Sequence, residues 1–240
     1  MPLSGLTRSK KIINGIIFDM DGTLLDSREA FIRQITDFFI VNDIPKPPPS
    51  AVAKLVGKSY SEIFEEALGE IDPAKSEDFL LWMNYSYRYF YINKYAKLFD
   101  GAYECVKSLI EMGYTVGIAT NAPRMVLDYF LERYGFERLG VIGVSGDDVV
   151  NKKPSPDMLL KLQDELGVDG DIIYVGDMNL DVEAAHKAGM ISAAVLTGLS
   201  DIQTLLAARP DVMIQSVTWI CKILGKPQGI LAMRDAQSGP

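Results

Sequence analysis

The chain has 240 residues with 24 basic and 32 acidic side chains, and its formal net charge is −8. Hydrophobic residues make up 48% and charged residues 23% of the chain, which excludes a mostly disordered protein. This length supports one large domain, or one domain with a smaller insert. The acidic balance argues against a nucleic-acid partner, because phosphate neutralisation needs an excess of Lys and Arg.

Cysteine usage and the N-terminal segment favour a reducing compartment. Cys105 and Cys221 are too few for a disulfide framework and lack metal-ligand spacing, so we expect buried free thiols. The apolar run Ile12–Phe18 is interrupted by Asn14 and is too short to span a membrane. We therefore expect a soluble, cytoplasmic protein without a membrane partner, and the oligomeric state is unknown from the sequence.

Histidine is nearly absent. His186 is the single histidine, whereas the acids comprise 20 Asp and 12 Glu. This count excludes a mechanism that needs a histidine base together with histidine metal ligands. We interpret His186 as a helix-surface or packing residue, and we expect carboxylates to carry any acid–base chemistry.

Short apolar runs rich in Ile and Val alternate with amphipathic stretches over most of the chain. This alternation predicts an α/β fold with a doubly wound, Rossmann-like parallel sheet. The strands are expected at Ile12–Phe18, Tyr114–Ala119, Val141–Val144, Ile172–Val175, Ala193–Leu196 and Val212–Ile214. The helices are expected at Tyr103–Met112, Met125–Tyr134, Pro156–Leu166 and Asp181–Ala188, with Gly113, Gly135, Gly167 and Gly189 just beyond their ends.

One block of the chain breaks that alternation. Residues 27–98 hold no convincing strand, and their helical patterns predict an all-helical inserted domain between two parts of the core, 1–26 and 99–224, with 225–240 as a C-terminal tail. The helical patterns are Ala30–Val41, Ser61–Leu68 and Glu77–Tyr95. We interpret the aromatic residues of the last one (Trp82, Tyr85, Tyr87, Tyr89, Phe90, Tyr91 and Tyr95) as helix packing.

The first polar motif directly follows the first predicted strand. Asp19 and Asp21 stand two positions apart there, before Gly22 and Thr23. Two carboxylates so close to a buried strand are costly unless a cation lies near them, and Mg²⁺ prefers such oxygen ligands. A twelve-residue calcium loop starting at Asp19 is excluded, because Ala30 stands where its glutamate would be.

Three further motifs follow later predicted strands, at the sheet edge where open α/β sheets bind ligands. Thr120-Asn121 ends one strand and offers a hydroxyl and an amide to a phosphoryl group, although a helix cap explains it equally well. Lys153 lies in a loop held by two prolines and is a candidate phosphate anchor. Asp177 and Asp181 follow the strand Ile172–Val175 and bring the number of carboxylates at this edge to four.

Together the order D-x-D-G-T, T-N, K-P-x-P and G-D-x-x-x-D resembles the haloacid dehalogenase (HAD) superfamily. It is most similar to the small-molecule phosphatases with a helical cap, in the branch of phosphoglycolate phosphatases and β-phosphoglucomutases. The resemblance extends from about Ile12 to Leu224. It implies a HAD-like α/β core in which the helical insert is a cap over the site.

The resemblance also implies roles for the motif residues. Asp19 would be the nucleophile that forms an aspartyl-phosphate, and Asp21 the general acid and base. Thr120, Asn121 and Lys153 would bind the phosphoryl oxygens. Mg²⁺ would be held by the Asp19 carboxylate, the Asp21 carbonyl and the Asp177 carboxylate. Asp181 would orient Lys153 or a water molecule. In the cap, the substrate would be met by Gly57, Lys58 and Ser59. The implied partner is a small phosphorylated metabolite.

Alternative activities differ in what they require. Dehalogenation needs no general acid, so the presence of Asp21 disfavours it. Phosphonate cleavage would need a cap lysine, and it stays open because the cap contains Lys54, Lys58 and Lys94. A phosphomutase would carry a histidine and an arginine where our matching places Phe31 and Tyr60. A non-catalytic binding or regulatory protein would lose a motif residue, whereas all are present here.

Overall fold

The computed structural model describes residues 13–55, 60–68 and 75–224. The proposed cap contacts Gly57, Lys58 and Ser59 and the tail 225–240 lie outside these ranges. The division into core, cap and tail therefore stays a prediction. In the described part of the chain, no helix is both long and apolar enough to cross a bilayer.

Six parallel strands form one sheet in the order β5-β4-β1-β6-β7-β8. They are β1 (Ile13–Phe18), β4 (Thr115–Ala119), β5 (Ile142–Val144), β6 (Asp171–Gly176), β7 (Ile191–Val195) and β8 (Val212–Ile214). Buried Ile and Val side chains fill these strands because both faces of a parallel sheet are covered. The predicted α/β class is confirmed, and each predicted strand is present to within two residues at either end.

Helices cover both faces of the sheet. The helices α6 (Ala102–Glu111), α7 (Arg124–Tyr134) and α11 (Thr218–Ile223) pack on one face, whereas α8 (Asp157–Leu166) and α9 (Asn179–Lys187) pack on the other. A short helix, α10 (Ile202–Ala208), packs beside α9. The four glycines expected at helix ends all adopt positive φ angles, which L side chains rarely adopt.

The insert between β1 and α6 is helical in its described part. It contains α1 (Arg28–Val41), α2 (Pro49–Leu55), α3 (Tyr60–Ala67), α4 (Ser76–Ser86), a π-helical turn (Tyr87–Tyr91) and α5 (Ile92–Tyr95). These helices have a hydrophobic core of their own, with Phe38, Phe39 and Phe79 at its centre. Helix α2 was not predicted, because the run Pro47–Pro49 looked like a break, whereas Pro49 is its first residue.

Two very short strands close the base of the insert. The strands β2 (Leu25–Asp26) and β3 (Lys97–Leu98) pair antiparallel, and the Phe99 amide donates to the Leu24 carbonyl oxygen (3.0 Å). The chain therefore leaves and re-enters the core side by side. Two residues are too few to give a strand pattern, so the sequence did not predict this pair.

The packing of the aromatic residues was predicted only in part. Tyr87 and Tyr91 are buried, as expected, but Tyr85, Tyr89 and Phe90 are exposed by 52%, 63% and 47%. Tyr85 lies on the exposed face of α4, whereas Tyr89 and Phe90 lie in the π-helical turn, where the inserted backbone rotates side chains out of a regular helical stripe.

The expectation of free thiols is wrong. Cys105 on α6 and Cys221 on α11 form a disulfide, with their Cα atoms 5.9 Å apart. The two cysteines are separated by 116 residues, and only the crossover connections of the sheet bring the two helices together on one face. Local sequence therefore carried no sign of the pairing.

We expect reduction of this disulfide to destabilise the protein. The bond closes a loop of 116 residues, and crosslinks of such loops contribute about 2 to 4 kcal/mol by restricting the unfolded chain. Urea unfolding with and without a phosphine reductant measures the difference. In a Cys105→Ala/Cys221→Ala control, the reductant should change nothing. Two reactive thiols in the folded, unreduced protein would contradict the pairing.

Candidate active site

The polar motifs meet at the carboxyl edge of the central strands. Asp19 directly follows β1, Thr120 follows β4 and Asp177 follows β6. Because β1 lies between β4 and β6 and all three are parallel, these strand ends are neighbours. The order of the sheet reverses beside β1, which is the position where open α/β sheets bind ligands.

A cavity of about 430 Å³ opens at this edge, a volume typical of small-ligand sites. The core residues that line it include Asp19, Asp21, Thr120, Asn121, Lys153 and Asp181. The insert covers it with Phe31, Tyr60, Ser61, Leu80, Asn84 and Tyr87, among others. The structure thus brings together six of the seven core residues singled out from the sequence, and Asp177 lies buried beside them.

Two glycines make room for Asp177. Gly22 has a φ of +83°, and a Cβ atom there would lie 2.3 Å from Asp177 Oδ2. A Cβ atom on Gly198 would lie 2.1 Å from Asp177 Cβ. Both distances are impossible for real side chains, so glycine is required on both sides of this carboxylate.

Lys153 is buried among oxygen atoms. Its ammonium group donates to Asp19 Oδ1 (2.6 Å), Asp181 Oδ1 (2.7 Å) and the Tyr174 hydroxyl (2.8 Å). Burial by itself would lower the pKa of Lys153, but the two carboxylates raise it above its usual value. Lys153 is therefore a fixed positive charge next to Asp19.

Asn121 holds the backbone of the lysine loop. Its Oδ1 accepts from the Lys153 amide (2.9 Å), and its Nδ2 donates to the Lys153 carbonyl oxygen (3.2 Å). This paired contact fixes the end of β4 to the loop that carries Lys153. The Asn121 side chain thus positions a phosphate-binding candidate, which adds a structural task to the phosphate contact expected from the sequence.

Asp181 is saturated by neighbouring donors. Its Oδ1 accepts from Lys153, while its Oδ2 accepts from the backbone amides of Asp177 (3.2 Å) and Met178 (2.9 Å). The Tyr174 hydroxyl also lies 3.0 Å from Asp181 Oδ1. This arrangement suits the expected role of Asp181 in orienting Lys153.

Asp177 is buried with neutral donors. Thr23 Oγ1 (3.3 Å) and the Leu199 amide (2.6 Å) donate to its two oxygens. Burial, together with the nearby carboxylates of Asp181 and Asp19, raises the pKa of Asp177 well above its usual value. Burial likewise raises the pKa of Asp19 to about 7, although Lys153 opposes the shift.

This group of carboxylates fits a divalent cation. Oxygens of Asp19, Asp177 and Asp181 all lie within 4.8 Å of one another, and all three residues are buried. Asp19 and Asp181 share the ammonium group of Lys153, whereas Asp177 has only neutral donors, so negative charge is in excess where burial makes it costly. Oxygen-only ligands of this type suit Mg²⁺.

Asp21 faces the insert. Its Oδ1 accepts a hydrogen bond from the Tyr87 hydroxyl (2.7 Å), and the ring of Tyr87 is stacked on Phe31 with ring centroids 4.7 Å apart. Burial raises the pKa of Asp21, and the Tyr87 hydrogen bond partly offsets the shift. Asp21 is therefore in contact with both the core and the helical insert.

Two site residues were not found from the sequence, Tyr87 and Tyr174. Tyr174 lies inside a run of apolar strand residues, and Tyr87 lies among several other tyrosines, so neither had a distinguishing signal. His186 is far less involved. It is exposed on α9, as expected for a helix-surface residue, and it contacts Ser192 Oγ (2.9 Å) near the start of β7, at the sheet end opposite the cavity.

The fold and site together define a parallel α/β protein with a carboxylate-rich centre under a helical cover. Residues 16–195 match the model of the haloacid dehalogenase-like hydrolases. This chain belongs to that family. A phosphoglycolate phosphatase from Xanthomonas campestris pv. campestris (strain 8004) is 30% identical over 217 residues, which cover 89% of this chain and 97% of the relative. Phosphoglycolate phosphatase from Escherichia coli (strain K12) is 26% identical and covers 90% and 94%.

Solved structures show the same fold. A predicted phosphoglycolate phosphatase from Haemophilus somnus 129pt superposes with a TM-score of 0.77 at 21% identity, over 90% of this chain and 99% of that one. A haloacid dehalogenase-like protein from Streptococcus pneumoniae gives 0.72 at 21% identity, over 88% and 97%. The expected family is confirmed, as is the expectation of an enzyme of the phosphatase class.

The charge of Asp177 gives a test of the cation site. The folded pKa of Asp177 is raised above the ordinary value of about 4. The metal-free protein therefore loses stability as the pH rises from about 4 to the folded pKa. Asp177→Asn removes the charge, and its amide can donate to Thr23 while its oxygen accepts from Leu199. At pH 8 with a chelator, we expect the variant to melt higher than wild type, by about 2 to 4 °C for each kcal/mol relieved.

Thermal melts at pH 5 and pH 8, with chelator or with Mg²⁺, check this expectation. Mg²⁺ should raise the melting temperature of wild type at pH 8 but leave Asp177→Asn nearly unchanged. Asp128→Asn, at an exposed carboxylate on α7, is the matched control and should behave like wild type. A variant that keeps the full Mg²⁺ effect would rule out Asp177 as a ligand.

Proposed function

We propose that this protein is a Mg²⁺-dependent phosphatase that hydrolyses a small phosphorylated metabolite through an aspartyl-phosphate on Asp19. One observation carries the proposal: Asp19, at the end of the central strand, is held by the buried ammonium of Lys153 (2.6 Å) in a cavity that also contains Asp21. A nucleophile, a fixed positive charge and a second carboxylate thus face one small volume.

The cation would be held by the Asp19 carboxylate, the Asp21 main-chain carbonyl and the Asp177 carboxylate. When bound, Mg²⁺ neutralises charge that would otherwise repel an anionic phosphate. This assignment is supported by the grouping of buried carboxylates around Asp177. Asp181 stays with Lys153, to which it is already bonded.

The first step is attack by an Asp19 carboxylate oxygen on phosphorus. The bond between phosphorus and the ester oxygen breaks as the new oxygen–phosphorus bond forms, and Asp21 gives its proton to the departing oxygen. Lys153, the Thr120 hydroxyl and the backbone near Asn121 hold the phosphoryl oxygens. Lys153 is a strong partner for such oxygens because it is charged. Backbone N–H groups are strong partners because their direction is fixed.

The second step releases inorganic phosphate. Asp21, now ionised, takes a proton from a water molecule while that water attacks phosphorus, and the Asp19–phosphorus bond breaks. Asp21 is then protonated again and Asp19 is ionised, as at the start. One carboxyl group thus serves as acid and as base in turn.

The phosphomutase alternative gains no support from the cavity. Phe31 and Tyr60, at the positions where a mutase would carry a histidine and an arginine, both line it. Their aromatic rings cannot take over the work of a histidine base or of an arginine that binds a second phosphate. We therefore assign water, not a sugar, as the acceptor of the phosphoryl group.

The substrate class is proposed from the cavity and from the relatives together. The relatives named above are phosphoglycolate phosphatases. The lining contains the polar groups Ser61 and Asn84 from the insert and the exposed Lys152 beside Lys153. A short phosphoester with a second polar or anionic group, such as 2-phosphoglycolate or a small sugar phosphate, fits these groups. Lys58, expected to meet that second group, lies outside the described residues.

A cytoplasmic location is part of the proposal, since small phosphorylated metabolites of this kind are made and used there. The Cys105–Cys221 disulfide would be unusual in the cytoplasm, because disulfides are rare in reducing compartments. Thiol counting after rapid alkylation of intact cells measures the redox state of the pair directly.

A panel of phosphorylated metabolites tests the activity, with 2-phosphoglycolate and several sugar phosphates included. We expect inorganic phosphate to be released with Mg²⁺ and not with a chelator, and no isomerised sugar phosphate to accumulate. Turnover that persists without any metal would refute the scheme. If no phosphate is released from any member of the panel, a non-catalytic binding protein on this fold is favoured instead.

Asp19→Asn tests the nucleophile. The amide oxygen can still accept from Lys153, so the variant should fold, but an amide does not form the acyl-phosphate. We expect turnover to fall by several orders of magnitude with little change in the melting temperature. Acid-quenched wild type should carry a phosphoryl group on the peptide containing Asp19. Substantial residual activity in the variant would show that Asp19 is not the nucleophile.

A further inference from the structure

In the described part of the insert, the Tyr87 hydroxyl donates a hydrogen bond to Oδ1 of the catalytic carboxylate Asp21 (2.7 Å). The two residues are 66 positions apart in the chain, and one belongs to the helical insert while the other belongs to the first core motif. Tyr87 is buried, with 1% of its surface exposed. A tyrosine placed in this way has a restricted orientation.

Packing fixes the direction of that hydroxyl. The Tyr87 ring is stacked on Phe31 of α1, with an angle of 14° between the ring planes. Tyr87 also begins the π-helical turn, a feature that often marks functional sites because it redirects side chains. Both constraints point the hydroxyl at Asp21.

We infer that Tyr87 is a positioning residue for Asp21, which holds one carboxyl oxygen so that the other faces the ester oxygen of the substrate. The inference rests on the proposed function, in which Asp21 is the acid and base. A tyrosine hydroxyl can donate to an ionised carboxylate and accept from a protonated one. Tyr87 can therefore keep Asp21 oriented in both steps, whereas phenylalanine could do so in neither.

This role would make the insert part of the proton-transfer machinery. Asp21 projects from the turn after β1, where Gly22 has a positive φ, and its carboxyl group is oriented by a residue of the insert. Asp21 is then correctly oriented only when the insert lies over the cavity. Proton donation is thereby linked to the closed state, in which bulk water is excluded.

The structure offers a matched control in the same π-helical turn. Tyr91 is also buried and donates its hydroxyl to a carboxylate, Asp37 Oδ2, at the same distance of 2.7 Å. Asp37 belongs to α1 and does not line the cavity. Tyr87→Phe and Tyr91→Phe therefore remove the same group from similar surroundings, but only one of them removes a contact to Asp21.

The test compares two leaving groups by kcat/KM, which reports the steps up to release of the alcohol. An alkyl phosphate, the one that wild type hydrolyses best in the metabolite panel, needs a proton on its leaving oxygen, whereas p-nitrophenyl phosphate releases a stable anion without one. For Tyr87→Phe we expect kcat/KM to fall about tenfold or more with the alkyl phosphate. With p-nitrophenyl phosphate it should stay within about twofold, and Tyr91→Phe should match wild type on both substrates.

The outcomes separate the two proposals. If wild type hydrolyses no alkyl phosphate with Mg²⁺, the proposed function fails and the role of Tyr87 fails with it. If wild type hydrolyses both substrates and Tyr87→Phe loses nothing, or loses both equally, only the role of Tyr87 is overturned. Melting temperatures of the two Phe variants show whether they are folded. Should Tyr87→Phe not fold, Phe31→Leu, which removes the stacking partner, should give the same selective loss, and an equal loss on both substrates would overturn the inference.

Discussion

The ion pairs of Lys153 with Asp19 and Asp181 are the interaction on which the rest of the site depends. They place one buried ammonium group against two buried carboxylates, each within 2.7 Å. Removing Lys153 would leave both carboxylates uncompensated in a low-dielectric interior, which costs several kcal/mol. Asn121 and Tyr174 are arranged around the same ammonium group, one through the backbone of the loop and one through its hydroxyl.

A second constraint is the shortage of positive charge. Lys153 cannot balance Asp19, Asp177 and Asp181 together, and Asp177 has neutral hydrogen-bond donors. The fold tolerates this only because two glycines let the chain approach Asp177 closely enough to supply them. Net acidity of the whole chain is compatible with the proposed function, in which the charge that a phosphate meets would be set locally by Lys153 and a cation.

The strands and the grouping of the motif residues could be predicted, because short stretches of sequence encode them. Each strand was visible as a run of Ile and Val, and the rule that parallel strands end at one edge placed Asp19, Thr120 and Asp177 together. Contacts between distant segments were not predictable. The Cys105–Cys221 pair, the Tyr87–Asp21 bond and the pair β2–β3 all depend on how helices are arranged over the sheet. The π-helical turn could not be predicted either, because its sequence is that of an ordinary aromatic helix.

The position of β1 has a consequence for local motion. It is the first strand in the chain but lies inside the sheet, bonded to β4 on one side and β6 on the other, and most of its residues are buried. The insert is joined to the core through the two-residue strands β2 and β3. Amide hydrogens of β1 should therefore exchange with solvent only on global unfolding, while those near β2 and β3 exchange through small openings. Asp19, the proposed nucleophile, would then stay fixed in a rigid sheet while its cover is free to move.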